Sequence, residues 1–96
     1  MAGAYWVAHV TVTNPEEYAR YAELAGPAIA AFGGKFLARG GEVIIKEGQG
    51  HVRNVVIWFP SLADANACYD SPAYQEAMAF AKDSSIRELV LIEGVE

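Results

Sequence analysis

Arg39 and His9 are the two residues whose type and position best suit chemistry in this 96-residue sequence. Arg39 ends a short apolar segment and is followed directly by Gly40-Gly41. Glycine lets a ligand approach the backbone closely, and a guanidinium holds a carboxylate through two parallel hydrogen bonds. His9 lies inside another apolar segment, and histidine titrates near neutral pH. The pair predicts one shared site, in which Arg39 holds an anion and His9 transfers a proton.

Both residues also have a purely structural interpretation. Arg39 would equally form a salt bridge to Asp70 or to a glutamate, and this bridge would fix a strand to a helix. His9 would equally be a buried histidine whose ring nitrogens are hydrogen-bonded within the core. The sequence leaves both alternatives open.

A second group of candidate residues surrounds the junction between two predicted helical segments. The candidate ligand-binding residues there are Tyr69, Asp70, Ser71 and Tyr74. Ser71 before Pro72 is also the usual start of a helix, and a carboxylate such as Asp70 is favourable beside a helix N-terminus. Trp6 completes the candidate set, because aromatic side chains suit flat apolar ligands. Amphipathic packing is the alternative for the tyrosines, and core filling is the alternative for Trp6.

Composition excludes several classes of function. The chain is 53% hydrophobic and 20% charged, which is typical of one globular domain, here over residues 1–96. A net charge of -5 without any basic run disfavours a nucleic-acid partner. Since no apolar segment approaches the roughly 20 residues that span a bilayer, we expect no membrane association.

Cysteine and histidine usage argues against a metal site. Cys68 is the only cysteine and cannot form a disulfide within the chain, so a reducing cytoplasm is the expected location. His9 and His51 lack the spacing of metal ligands, and no glycine-rich nucleotide-binding motif is present. We therefore expect neither a metal nor an organic cofactor. His51 precedes a predicted strand in a turn, where we expect it to be exposed to solvent.

The elements that position these residues follow the order strand, helix, strand, strand, helix, strand. Strands are predicted over residues 4–13, 35–39 with a continuation at an angle over 42–47, 52–59 and 86–92. The first helix begins at Asn14-Pro15, is expected to kink near Gly26 because of Pro27, and stops at Gly33-Gly34. Gly40-Gly41 is expected to break or bulge the second strand. The second helical region has two pieces, over residues 62–69 and from residue 72 to a turn at 83–85. This order predicts an α+β fold, a ferredoxin-like βαββαβ antiparallel sheet with helices on one face.

Both faces of the predicted sheet are apolar, although the helices cover only one. Exposing five large apolar side chains would forgo on the order of 10 kcal/mol, which rivals the roughly 5–15 kcal/mol stability of a whole domain. A second sheet should therefore cover the other face, and a two-fold symmetric pair is the commonest way to supply one. We expect a homodimer whose sheets close into a dimeric α+β barrel.

Several motifs together give the chain a resemblance to a known family. They are Tyr5-Trp6, Asn14-Pro15-Glu16 with Tyr18 and Tyr21, the segment from Phe32 to Gly41, Phe59-Pro60-Ser61, and the segment from Tyr69 to Gln75. With these motifs the chain resembles the domain of unknown function 1330 family, of the dimeric α+β barrel superfamily, from about Ala4 to Gly94. The resemblance implies the fold and a dimer but no reaction. Looser relatives in the superfamily include cofactor-independent monooxygenases and stress-responsive barrel proteins.

Two functions are consistent with these observations. The first is a cofactor-independent enzyme that acts on a small, partly apolar anionic or carbonyl compound. In this hypothesis Arg39 holds the ligand's charge, and His9 with Tyr69 or Tyr74 exchanges a proton. The second is a dimer that binds a small ligand without turnover or serves in a stress response. A protein whose polar residues are all satisfied internally is the structural alternative to both.

Overall fold

A four-stranded antiparallel sheet carries three helices on one of its faces. The computed structural model describes residues 2–96. Its elements in chain order are β1 (Ala4–Val12), α1 (Pro15–Ala31), β2 (Lys35–Arg39), β3 (Arg53–Phe59), α2 (Leu62–Asp70), α3 (Pro72–Ser84) and β4 (Ser85–Glu93). The strand order β2-β3-β1-β4 is that of a ferredoxin-like sheet, which confirms the predicted fold.

Capping residues set the starts of the helices as predicted. Asn14 caps α1 by accepting a hydrogen bond from the backbone N–H of Glu17, at 3.3 Å. Ser61 caps α2 and Ser71 caps α3 in the same way. Each cap satisfies a backbone donor that the first turn of a helix leaves without a partner.

The two glycine pairs fall where the chain changes direction. Gly33 ends α1 with a φ of +83°, and the N–H of Gly34 donates to the carbonyl of Ile29 at 3.0 Å. This geometry confirms the predicted helix stop. Gly40 follows β2 with a φ of +70°, but the register shift in β2 lies earlier, between Phe36 and Ala38.

Two local predictions were wrong. Residues 42–47 form no strand and belong to a connection between β2 and β3. Residues 83–85 form no turn, because α3 continues to Ser84 and β4 begins at the next residue. Helix α1 is continuous through Pro27, which removes one hydrogen-bond donor from the helix interior.

The core lies between the helices and the sheet, around Trp6. The Trp6 ring meets the Tyr74 ring edge-on at 4.9 Å between centroids and stacks on Phe59 at 5.8 Å. Trp6 is 1% exposed, so it fills the core in its structural role. The opposite face of the sheet, here called the open face, has no helix over it. Among residues 2–96, no helix is both long and apolar enough to cross a membrane.

Replacing Gly34 by alanine should destabilise the fold. A Cβ at this position would lie 2.5 Å from Cγ2 of Ile29 and 2.9 Å from Cζ of Phe59. Packed cores absorb such crowding at a cost of about 1–3 kcal/mol. Gly41→Ala is the matched control, because a Cβ there meets nothing within 4 Å. Urea unfolding should give a lower free energy of unfolding for Gly34→Ala only, and equal values for the two variants would contradict this account of the turn.

Candidate functional site

A narrow cleft between α1 and the helix-covered face of the sheet is the main candidate site. Trp6, Val10 and Ile57 line it from the sheet, and Tyr18 and Tyr21 line it from α1. The space between the lining atoms is about 380 Å³ with the open mouth included, but only about 20 Å³ of it admits the centre of a water molecule. The cleft as it stands therefore has room for about one water molecule.

Three of the four arginines of the chain line this cleft. They are Arg39, Arg53 and Arg87, and no aspartate, glutamate or histidine lines the cleft with them. Among residues 2–96, the one ion pair joins His51 and Glu88, so none of the three arginines has a carboxylate partner there. The predicted salt bridge from Arg39 to Asp70 or a glutamate is thus not formed. The cleft concentrates positive charge in a protein that is acidic overall.

The register shift in β2 aims Arg39 into the cleft. Phe36 pairs with Ile57 and Arg39 pairs with Val55, and both partners face the helices. In a regular strand, residues three apart point to opposite faces, so without the shift Arg39 would face away from the helices. The Arg39 guanidinium lies 4.1 Å from the centroid of the Phe36 ring and close to Gly26 of α1.

Arg53 and Arg87 flank Val10 in one cross-strand row. Val10 pairs with Arg53 on one side and with Arg87 on the other, so all three side chains share the helix-covered face. Arg53 lies 5.6 Å from the Tyr18 ring centroid, and Arg87 lies 4.7 Å from the Tyr21 ring centroid. Both cations therefore contact aromatic faces, which attract positive charge.

Two tyrosine hydroxyls hold Arg87 in place. The hydroxyls of Tyr21 and Tyr74 are hydrogen-bonded to each other at 2.8 Å, and Nη2 of Arg87 donates to them at 3.1 and 3.2 Å respectively. Nη1 of Arg87 lies 2.8 Å from the thioether sulfur of Met78. Burial raises the pKa of Tyr74 and of Tyr21, although the nearby Arg87 charge opposes the rise in both. At neutral pH both hydroxyls are therefore uncharged.

The structure brings only some of the sequence-predicted residues to the cleft. Arg39 and Trp6 line it, and Tyr74 lies directly behind Tyr21. Ser71 is engaged as the cap of α3 and donates to the carbonyl of Cys68 at 2.7 Å. The cleft is not lined by the three other predicted residues, which are half-buried Tyr69, exposed Asp70 and exposed His9.

His9 projects from the open face of the sheet, opposite to Arg39. Its Nδ1 donates to Oδ1 of Asn54 at 2.5 Å. The expected shared site of His9 and Arg39 is therefore not formed within one chain, because the strand alternation places the two side chains on opposite faces. His51 was expected to be exposed, and this was wrong. It is half-buried, its Nε2 donates to Glu88 at 3.0 Å, and its Nδ1 accepts from the Thr11 hydroxyl at 2.7 Å.

Sequence reasoning missed Arg53, Arg87 and Tyr21. The two arginines precede Val55, which is buried, and Leu89, which is half-buried against the core, by two residues each, so strand alternation puts them on the helix-covered face. Extending the alternation by one step toward the start of each strand would have found them. Within residues 2–96, no three metal-ligating side chains of the His, Cys, Asp or Glu type lie close enough to share an ion.

Comparison with protein families decides the classification. The model of the family described as "Domain of unknown function (DUF1330)" matches residues 3–95, nearly the whole chain. The chain belongs to the DUF1330 family. This confirms the family resemblance that the sequence motifs indicated. A search of curated proteins finds no match to this DUF1330 chain.

Solved structures share the fold at low sequence identity. A protein of unknown function from Rhodopseudomonas palustris is 19% identical with a TM-score of 0.76, and the match covers 99% of this chain and 84% of that one. SnoaB, a cofactor-independent oxygenase from Streptomyces nogalater, is 13% identical with a TM-score of 0.65 and coverages of 100% and 96%. A dimeric ferredoxin-like protein of unknown function from Thermobifida fusca is 15% identical with a TM-score of 0.58 and coverages of 97% and 92%. At these identities the likeness establishes the fold alone.

Cys68 should make stability fall with alkaline pH. Burial raises the pKa of its thiol from 9.0 to about 11. A folded-state pKa above the unfolded one contributes stability that is full below pH 9.0 and is lost as the pH rises toward about 11. Urea unfolding between pH 8 and pH 10.5 should show a steeper decline for the wild type than for Cys68→Ala, because only the wild type must release that proton on unfolding. Parallel declines would contradict this description of the buried thiol.

Proposed function

We propose that this protein binds a small, partly apolar ligand carrying an anionic or carbonyl oxygen, in the cleft between α1 and the sheet. The observation that supports this best is the set of three arginines at the cleft without any carboxylate among the lining residues. Buried or half-buried cations are normally paired, so an unpaired group of cations favours an anionic ligand. Arg39 holds the ligand's charge at the cleft mouth, as the sequence suggests.

The apolar walls restrict the remainder of the ligand. Trp6, Val10 and Ile57 form the apolar wall of the cleft. Small-molecule sites combine such walls with a few polar groups that fix the ligand's orientation. Because the cleft admits little more than one water molecule, a ring-sized ligand binds at its mouth, beside exposed Arg39. The ligand class is therefore an aromatic or short aliphatic compound with one charged end.

A cofactor-independent reaction at the same cleft is the second candidate function. Its support is the shared fold with SnoaB, which is itself a cofactor-independent oxygenase. The cleft offers hydrogen-bond donors but no histidine or carboxylate that would serve as a general base. Binding without turnover therefore fits the lining residues better than catalysis by this chain alone.

The open face of the sheet supports a homodimer. Ile86, Val90 and Ile92 of β4 are 56–61% exposed on this face, and Val7 and Val56 beside them are half-buried. Contiguous apolar surface of this kind marks an interface, and a second copy supplies the matching surface by two-fold symmetry. The relative from Thermobifida fusca is described as dimeric. We propose that two open faces pack together, with the arginine cleft of each chain on the outer, helix-covered side.

Loss of Arg39 should weaken anion binding without unfolding the protein. Benzoate, the probe, should raise the melting temperature of the wild type, because a ligand of the native state stabilises it by mass action. Arg39→Ala should weaken benzoate binding by about tenfold or more, which is the value of one charge-assisted hydrogen bond. Its own melting temperature should barely change, since Arg39 is exposed and its ring contact is worth only about 0.5–1 kcal/mol.

Arg20→Ala is the matched control for this experiment. Arg20 is an exposed arginine of α1 that does not line the cleft, so its removal should leave benzoate binding unchanged. Absence of any benzoate effect on the wild type, or equal losses in the two variants, would overturn the proposed anion site.

A charge placed on the open face should separate the dimer. Wild-type protein should have the mass of a dimer by light scattering at micromolar concentration. Val90→Lys should give monomers, because burying an unpaired ammonium in an interface is unfavourable, whereas the exposed site tolerates lysine in a monomer. Leu24→Lys on the exposed side of α1 is the control and should remain dimeric. A monomeric wild type would refute the dimer.

A further inference from the structure

The inner end of the cleft contains more hydrogen-bond donors than acceptors. The Nε atoms of Arg53 and Arg87 are both buried, and neither has a hydrogen-bond partner among residues 2–96. A buried donor without an acceptor costs roughly 1–3 kcal/mol, and more when the donor is charged. Two such donors at the same cleft point to an acceptor that a ligand supplies.

The tyrosine pair adds a third donor. Tyr21 and Tyr74 have two hydroxyl protons, and the hydrogen bond between them uses only one. Arg87 donates to both oxygens and so consumes no hydroxyl proton. The remaining proton has no acceptor within residues 2–96. Tyr74 is fully buried whereas Tyr21 lines the cleft, so the arrangement in which Tyr74 donates to Tyr21 leaves the free proton facing the cleft.

The residues that carry these donors line the same narrow cleft. Arg53 and Arg87 flank Val10 in a single cross-strand row, and Tyr21 approaches the same row from α1. Only about 20 Å³ of the cleft admits the centre of a water-sized group, which is room for one oxygen atom. A carboxylate presents two oxygens and needs a wider space, whereas a phenolate or an enolate presents a single charged oxygen on an apolar body.

We propose that Arg53, Arg87 and Tyr21 form an oxyanion receptor, which binds the ionised form of a weak oxygen acid, a phenol or an enol. The inference rests on the proposed anion-binding function and adds a class of ligand whose charged oxygen lies at the inner end of the cleft, whereas Arg39 holds a carboxylate such as benzoate at the mouth. The phenolate or enolate oxygen enters the narrow part of the cleft, where the two arginine side chains adjust to it, and it accepts from the two Nε–H groups and the Tyr21 hydroxyl. The apolar remainder of the ligand lies against Trp6 and Ile57 toward the mouth.

Binding of this kind changes the acidity of the ligand. A nearby positive charge and hydrogen bonds to the ionised form both favour that form, and one opposite charge at short range lowers a pKa by about 1–3 units. No carboxylate lines the cleft to cancel the effect of the arginines. The bound phenol or enol should therefore ionise at a lower pH than the same compound in water.

The test uses 4-nitrophenol, because its phenolate absorbs visible light and its neutral form does not. The probe is titrated with acid in the presence of saturating wild-type protein, and the visible absorbance reports ionisation of the bound probe. The expected result is a midpoint about 1–3 pH units below that of the free probe. A bound probe with an unchanged or raised midpoint would overturn the oxyanion receptor.

Variants assign the effect to the three named groups. Tyr21→Phe removes one hydroxyl and should reverse part of the lowering of the 4-nitrophenol midpoint. Arg53→Met should reverse more of it, because this substitution removes a charge. Arg87→Met should do the same, and the other two variants carry the test if Arg87→Met fails to fold. Arg20→Met is the control and should keep the full shift. A full shift that survives all three cleft variants would place the probe elsewhere and refute the assignment.

Benzoate separates this inference from the function on which it rests. Stabilisation by benzoate together with an unshifted 4-nitrophenol midpoint would refute the oxyanion receptor and leave the anion cleft at Arg39 standing. If neither compound binds, both proposals fail. If both bind, with the midpoint lowered for 4-nitrophenol, both are supported.

Discussion

The charge of Arg87, buried beside two neutral tyrosines, is the constraint on which the cleft depends. The hydroxyls of Tyr21 and Tyr74 accept from its guanidinium, yet they do not neutralise it, because burial keeps both tyrosines protonated. Their hydrogen bonds tie α1 and α3 to β4 around this single cation. An ionised aspartate in the same place would have formed a buried ion pair with Arg87 and neutralised its charge. Hydroxyl partners instead fix the position of the arginine and leave its charge available to a ligand.

The two faces of the sheet divide the chemistry of the chain. The helix-covered face carries the arginine cleft, and the open face carries exposed aliphatic side chains together with His9 and His51. Strand alternation enforces this division, because neighbouring residues of β1 must point to opposite faces. The arginine cleft and the apolar open face therefore lie on opposite sides of the sheet and do not share surface.

Local signals made the fold predictable, whereas the site depends on contacts that are distant in sequence. Caps such as Asn14 and the stop at Gly33 act within a few residues of their own position, so the strand and helix order was readable. The break of β2 at Gly40 was predicted, but the register shift that turns Arg39 toward α1 was not, because pairing with β3 decides it. His9 was assigned to the wrong side of the sheet for the same reason, since its chemistry is visible in the sequence and its face is not. Arg53 and Arg87 were predictable from alternation alone, but their common row depends on both having Val10 as neighbour.

The most direct measurement of the central claim is NMR of the arginine Nε–H groups during titration with benzoate and with 4-nitrophenolate. A charge-assisted hydrogen bond to an oxyanion moves such a proton signal downfield. We expect 4-nitrophenolate to move the Nε–H signals of Arg53 and Arg87 and to leave that of Arg20 unchanged. Titrations in which no cleft arginine responds, or in which Arg20 responds equally, would contradict an anion site between α1 and the sheet.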